Sequence, residues 1–287
     1  MMPECYYHTG SGDVIFRAGD DDGVEMMKSL IYRHRYYDAG GIWSPVVDLD
    51  KHVTATIMDA CGARRSLELG CYSGSVISLL VDRCVDAHGV DISHSGFLLA
   101  DDVAFPRMTF GRFPDLTFDR PFDCIYAMDV LEHVSPLELD DYVAKIAQCL
   151  SDDGFAYVNS PMFGVDRIFG QVFSAYVKSW RESGERQYWY DMHCDDKGWP
   201  MHGHLVWASP VWWEEMFRRH GLVRDVDVEQ AIQGEVHAFF AKVAPARKSA
   251  FVLRKEGAQA ADASGVRESL KRRLPELPDW NERVIGG

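Results

Sequence analysis

Glu68-Leu69-Gly70-Cys71-Tyr72-Ser73-Gly74 decides how this chain is read. The segment ends a short strand-like run, Arg65 to Leu69, and opens Ser75 to Cys84, which has helical spacing. Glycines in such a turn accept positive φ and let the backbone approach a ligand closely. The helix that follows presents N–H groups with no partner inside the helix. Asp91, 23 positions after Glu68, closes the next strand, Ala87 to Ile92. A carboxylate at that point can accept hydrogen bonds from both hydroxyls of a ribose. The GxGxxG dinucleotide fingerprint is not met, because Tyr72 stands at the second glycine and no glycine stands at 75; no Walker A loop is present either.

Outward from the turn, strands and helices alternate at the period of a doubly wound parallel sheet. A helix near 95–103 and a short strand at 108–110 follow Asp91. A strand at Phe122 to Met128, a helix at 136–150 and a strand at Gly154 to Asn159 come next. The alternation stops at 161–208, too long for a plain connection and therefore read as an active-site cap or insert. It resumes with a helix at 210–220 and strands at 222–228 and 235–243. Upstream, 1–22 reads as a polar lead-in, and helices are expected at 23–37 and 49–61. The expected organisation is an N-terminal helical lead-in and lid over 1–63, an α/β domain over 64–243 and a basic tail over 244–287. Between 246 and 273 the tail holds eight Lys or Arg and three Asp or Glu, a formal +5, against −19 for the rest.

The net charge of −14 argues against nucleic acid as the main partner, since phosphate binding needs a basic footprint. The seven cysteines are odd in number, several lie in apolar runs and no two are spaced CxxC; they read as reduced thiols of a cytoplasmic protein. No apolar run reaches the roughly 18 residues a membrane span requires. Oligomeric state is left open, a homodimer included.

Glu68 to Gly74 resembles motif I of the class I S-adenosylmethionine-dependent methyltransferases, of the type 11/12 kind. Asp91 matches that family's acidic residue after the second strand. Phe122-Asp123-Cys124-Ile125-Tyr126-Ala127-Met128-Asp129-Val130-Leu131-Glu132-His133-Val134 resembles its fourth-strand segment. Leu150 to Phe155 is similar to the turn before its fifth strand. The resemblance covers 64–160 well and 209–243 loosely. It implies an α/β Rossmann-like doubly wound sheet, carrying here N-terminal helices and an inserted aromatic-rich cap, and S-adenosyl-L-methionine as cofactor. It places Glu68, Gly70, Cys71 and Gly74 on the methionine and ribose side, Asp91 on the ribose hydroxyls and Ile92 on the adenine. Phe113 covers the adenine, Met128 faces the methionine part and Asp129 contacts its amino group or caps a turn. Arg112 stands where the family carries an acidic residue. Tyr72 replaces the middle glycine.

Transfer of a methyl from a sulfonium is an in-line displacement for which an enzyme positions the nucleophile and excludes water. An alcohol nucleophile also benefits from a base. His133, one turn past the fourth strand, is a candidate base. The insert adds His193, His202 and His204 among Asp191, Asp195 and Asp196. No spacing there is a recognised metal signature, so no metal is assigned. Six of the eight tryptophans fall in 180–213, and flat rings with polar edges suit sugar rings or aromatic acceptors. The segment Asp196 to His204, with Trp207 to Ser209 and Trp212-Trp213, is loosely similar to methyltransferases of bacterial polysaccharide and glycosylation machinery. The expected activity is O-methylation of a saccharide or similarly polar small molecule. The alternatives are O- or N-methylation of a small aromatic or amine, and a non-catalytic cofactor-binding scaffold. Tyr36-Tyr37 and Trp43 are placed to close over the cofactor, or to pack.

Overall fold

The computed structural model describes Ala18, 20–37, 44–172, 203–206 and 208–286, together with the backbones of 5–8, 14–17, 188–189, 191–194 and Trp207. The N-terminal elements are β1 (Cys5–His8), β2 (Val14–Arg17), α1 (Asp21–Arg33) and α2 (Leu49–Ala60). Asp20 and Asp48 cap the two helices, accepting from the N–H groups of Gly23 and Lys51. Then come β3 (Arg65–Leu69), α3 (Ser75–Val81), β4 (Asp86–Asp91), α4 (His94–Leu99) and β5 (Met108–Phe110). The second half of the α/β unit holds β6 (Phe122–Met128), α5 (Leu139–Cys149) and β7 (Leu150–Asn159).

The insert contributes β8 (Val165–Asp166), β9 (Gly170–Gln171), β10 (Tyr188–Trp189), β11 (Asp191–Cys194) and β12 (Trp207–Ala208). The chain ends with α6 (Pro210–Arg219), β13 (Leu222–Arg224), α7 (Val226–Lys242), β14 (Ala250–Lys255) and α8 (Ala263–Arg273).

Seven strands form the main sheet in the order β13-β14-β7-β6-β3-β4-β5. The five from β7 to β5 are parallel, and β14 and β13 join antiparallel to their neighbours. This is the expected doubly wound, Rossmann-like architecture, with one apolar layer on each face of the sheet. Strand order reverses between β3 and β6, which puts a crevice at their carboxyl ends. Central strand β6 is buried along most of its length, as a strand covered on both faces must be. Phe122 pairs with Leu150 and Cys124 with Phe155, so the expected turn at 150–155 is a bulge inside β7.

Three expectations change. Residues 235–243 are not a strand but the second half of α7. Its buried residues Val228, Ile232, Val236, Phe239 and Phe240 recur at helical spacing, and Asp225 caps it. The edge partner of β7 is instead β14, from the segment expected to be a tail, and α8 packs against α7 beyond it. Phe251 is fully buried against Phe169 and Phe217, with the Arg224 guanidinium 4.6 Å from its ring centroid. The basic residues of that segment are the outer faces of elements whose apolar faces complete the core. In the lead-in, 5–8 and 14–17 pair as a hairpin, and β2 also pairs with β11 of the insert. Among the described residues no helix is long and apolar enough to cross a membrane.

Phe251→Ala should therefore lower stability in urea titration by about 3–5 kcal/mol, the cost of emptying a buried aromatic site. A loss under about 0.5 kcal/mol, the size expected at a surface position, would contradict the placement of β14.

Candidate active site

The turn after β3 folds back over the end of β4. The N–H groups of Gly70 and Cys71 both donate to the Val90 carbonyl, at 2.8 and 3.2 Å. Gly70 has φ +69°, and a Cβ there would lie 2.6 Å from Val130 Cγ2, so both conformation and space demand glycine. Tyr72, at the position of the family's middle glycine, also takes a positive φ, +48°. That costs an L-residue roughly 1–2 kcal/mol, and the Tyr72 N–H offsets it by donating to Asp91 Oδ2 at 2.7 Å. The Ser93 N–H donates to Asp91 Oδ1 at 2.6 Å. Burial pushes the Asp91 pKa up, opposed by its backbone donors at Tyr72, Ser93 and Ile92. An ionised carboxylate has about four acceptor positions, so Asp91 can hold the loops and still accept from a ligand.

Gly70, Tyr72, Asp91, Ile92, Phe113, Met128 and Asp129 line one cavity at this edge of the sheet. Three expected cofactor residues do not line it. Cys71 packs its thiol beneath Gly89, where an added Cβ would sit 2.7 Å from Sγ, and burial pushes the thiol pKa well up. Glu68 is buried below the turn, accepts from the Tyr126 hydroxyl at 3.2 Å, and has its pKa pushed up to about 8 by burial. Gly74 is the left-handed N-cap of α3 and packs on Ala104. These three shape the turn from behind.

The opposite wall is supplied by Tyr32, Tyr36 and Tyr37, at and beyond the end of α1, and by Leu205. Arg112 and Lys28, on the same cavity, share Glu138 Oε1 at 3.3 and 2.8 Å. Arg112 thus pairs with Glu138 on the cavity wall.

Beyond β6, Asp129 takes φ +52° and accepts from Arg247 Nη1 at 2.6 Å. Arg247 Nε donates to Asp50 of α2 at 2.9 Å. Arg247 belongs to the segment that the sequence alone reads as a tail, and no local pattern marks it as part of the site.

His133 lines the cavity in a short turn, Leu131–His133. Its ring meets Tyr37 edge-on at 5.8 Å and His204 at 4.7 Å between centroids. Burial lowers its pKa to about 4, against a raising contribution from the Gly203 backbone. An added Cβ on Gly203 would lie 2.8 Å from His133 Nδ1, so this close approach needs glycine. Fully buried Glu132 lies between the two histidines, its Oε1 4.0 Å from His133 Nε2 and 3.9 Å from His204 Nε2. Its other oxygen accepts from the Ser160 hydroxyl at 2.6 Å. Burial drives the Glu132 pKa well up, and Asp129 adds to that. These three side chains each bring one ligand atom within 4.8 Å of the others, the group among the described residues that could share a metal ion. The structure thus joins two sequence candidates, His133 and His204. His202 lies outside the described residues, as do Asp195, Asp196 and Trp43; of Asp191 and His193 only the backbone is described, in β11.

The methyltransferase domain family model matches residues 50–225, more than half of the chain. An uncharacterised methyltransferase of Staphylococcus carnosus is 30% identical over 112 residues, 39% of this chain and 54% of that protein. The chain thus spans about half the length of the curated relative it matches. Among solved structures, the 1,6-didemethyltoxoflavin-N1-methyltransferase of Burkholderia thailandensis, with S-adenosylhomocysteine bound, superimposes with a TM-score of 0.52 at 14% identity, covering 88% of this chain and 99% of that one. An amino pentose methyltransferase from Micromonospora echinaspora gives a TM-score of 0.46 at 16% identity, covering 79% and 95%.

The residues present fit S-adenosylmethionine. Gly70 keeps the wall low where its Cβ would intrude, Asp91 has acceptor capacity for a ribose diol, and Ile92 and Phe113 give apolar faces. Asp91→Ala should weaken binding of S-adenosylhomocysteine in calorimetry by roughly ten- to a hundred-fold, the worth of charge-assisted hydrogen bonds. Affinity unchanged in that variant would reject the ribose assignment.

Proposed function

The chain belongs to the methyltransferase domain family, and from that premise we propose that it transfers a methyl group from S-adenosylmethionine to a hydroxyl of a saccharide or similarly polar small molecule. The observation that carries this reading is the placement of His133 in the wall of the cavity that the Gly70–Gly74 turn and Asp91 also border. When bound, the cofactor supplies a sulfonium that loses its methyl to a nucleophile aligned behind it, the S–C electron pair staying on sulfur.

The chain's own residues have three tasks in that reaction. Asp91, Ile92, Phe113 and Met128 hold and orient the cofactor. The rings of Tyr32, Tyr36 and Tyr37 give the acceptor flat surfaces with polar edges, and Lys28, Arg112 and Glu138 give it charged groups along the same wall. His133 takes the proton that the acceptor oxygen sheds as its bond to the methyl forms. A buried neutral imidazole accepts a proton only if the resulting charge is met. Glu132, as a carboxylate before the step, is placed to meet it, its Oε1 lying 4.0 Å from His133 Nε2, so one proton moves and none is left over. The expectation of no metal stays part of this reading.

Its test is incubation with methyl-labelled S-adenosylmethionine and pools of glycans and nucleotide sugars, followed by identification of the methylated atom. Label recovered as an ether supports it; label found on amines or thiols alone overturns the hydroxyl assignment. With an acceptor in hand, His133→Ala should cut turnover by roughly 10²–10⁴-fold, the range for a general base, while S-adenosylhomocysteine affinity stays within a few fold. The depressed pKa fixes the sign of the pH dependence. In the ligand-free protein the proton-accepting form persists to low pH, so the His133 limb of the kcat/KM profile should appear only as pH drops through about 4. A titration near the ordinary histidine value of about 6.5 would assign the step elsewhere. Dialysis against a chelator should leave the rate unchanged. Loss reversed by a divalent cation would make the Glu132, His133 and His204 group a metal centre instead.

A further inference from the structure

Arg247 lies between α7 and β14, almost fully buried, and is held from three sides. Its Nε donates to Asp50 Oδ2 at 2.9 Å, and Nη1 donates to Asp129 Oδ2 at 2.6 Å and to Asn159 Oδ1 at 3.0 Å. Asn159 in turn donates through Nδ2 to the carbonyls of Ala246 and Ser249, at 2.9 and 3.0 Å, and so fixes the backbone on both sides of Arg247. The second oxygen of Asp129 is buried and has no hydrogen-bond partner among the described residues; the same holds for Asp50 Oδ1. Asp129 itself lines the cavity. Two carboxyl groups share one guanidinium, so acidic groups outnumber the cation they share. A buried charge left unmatched is costly, and a cationic group arriving beside it would be held strongly.

We propose that Arg247 is a positioning residue for the amino-acid end of the cofactor, holding Asp129 by one oxygen so that the other is left for the α-ammonium group of S-adenosylmethionine. The inference rests on the cofactor assignment above. The positive φ of Asp129 directs its side chain in a way most residues avoid, and Arg247 over-determines that geometry from a segment outside the span matched by the family. Arg247 does not touch the ligand. It sets which oxygen of Asp129 is available, and its charge opposes the rise that burial gives the Asp129 pKa.

Calorimetry with two ligands separates this role from a purely structural one. S-adenosylhomocysteine carries the ammonium group, and 5′-methylthioadenosine has the same nucleoside thioether without the amino-acid part. Arg247→Met should lower affinity for S-adenosylhomocysteine about ten-fold or more, the effect of losing a charge-assisted hydrogen bond, and leave affinity for 5′-methylthioadenosine within about two-fold. Arg247→Lys, which keeps the charge but not the fork, should fall between Met and wild type. Asp129→Asn, nearly isosteric and thus protected from gross misfolding, should reproduce the same split. Equal losses for both ligands in Asp129→Asn and Arg247→Met would make the cluster structural and overturn the proposal, as would no loss for either. Wild-type protein that bound neither ligand would fail the cofactor assignment itself and take this inference with it.

Discussion

The carboxylate of Asp91, bonded to the backbone N–H groups of Tyr72 on one loop and Ser93 on the next, is the constraint from which the site is built. A turn that places a tyrosine at positive φ is strained, and strain survives only where surrounding contacts outweigh it. Asp91 supplies such a contact within the turn, and the Val90 carbonyl supplies the bonds to Gly70 and Cys71. With the turn pinned, α3 begins at Gly74 in register with the sheet, and the cavity wall beside Gly70 is low. The middle glycine of the family's turn is therefore dispensable here for a reason visible in the structure. The conformation glycine would allow is kept, and a side chain that lines the cavity is gained.

The second theme is the sign of the buried charge. Glu68, Asp91, Asp129 and Glu132 lie at the carboxyl ends of β3, β4 and β6 or just beyond, and burial raises the pKa of each. Arg247 is bonded to one of these, Asp129, and its charge also acts on Glu68 and Glu132. A site with excess acidic groups in low dielectric suits a ligand bearing a sulfonium and an ammonium, because each cation relieves a desolvation cost already present in the fold. The acidic balance of the whole chain, which argues against nucleic acid, has a local counterpart here. The basic C-terminal segment brings Arg247 to this acidic edge.

How much of this was legible depended on whether the signal was local. The turn at 68–74, Asp91 and the strand at 122–128 are short contiguous patterns, and they led directly to the doubly wound sheet and to most of the cavity's strand-side wall. Side-chain direction was harder. Cys71 and Glu68 sit inside the motif yet point to the core, since strand-end residues alternate faces and motif membership does not say which face a residue takes. Residues 235–243 combine bulky and β-branched apolar groups that fit either element; a capping Asp225 and the spacing from Val228 to Phe240 favour helix only when read as one span. Arg247 could not be found until β14 was in the sheet, because its partners Asp50 and Asp129 are remote in sequence. Gly203 carried no readable signal, for its need arises solely from the approach of His133 and Tyr36.

The acceptor side follows from how two remote segments meet over the sheet. The backbone N–H groups of Leu205 and Val206 donate to the Glu132 carbonyl at 2.7 and 3.1 Å, and Gly203 packs on His133. The same few residues thus seat Leu205 in the cavity wall and fix the ring that is proposed to receive the acceptor's proton. On the other side Tyr36 and Tyr37, just after α1, touch each other edge-on at 5.3 Å, and both approach the His133 ring. Under the proposed function, acceptor shape and proton handling are one mechanical unit. A change that widens this wall to admit a larger acceptor also moves the imidazole, so selectivity among acceptors is exercised through turnover as much as through binding. Discrimination of that kind tolerates a roomy, aromatic wall, because a poorly seated hydroxyl is never lined up with both the methyl and the base.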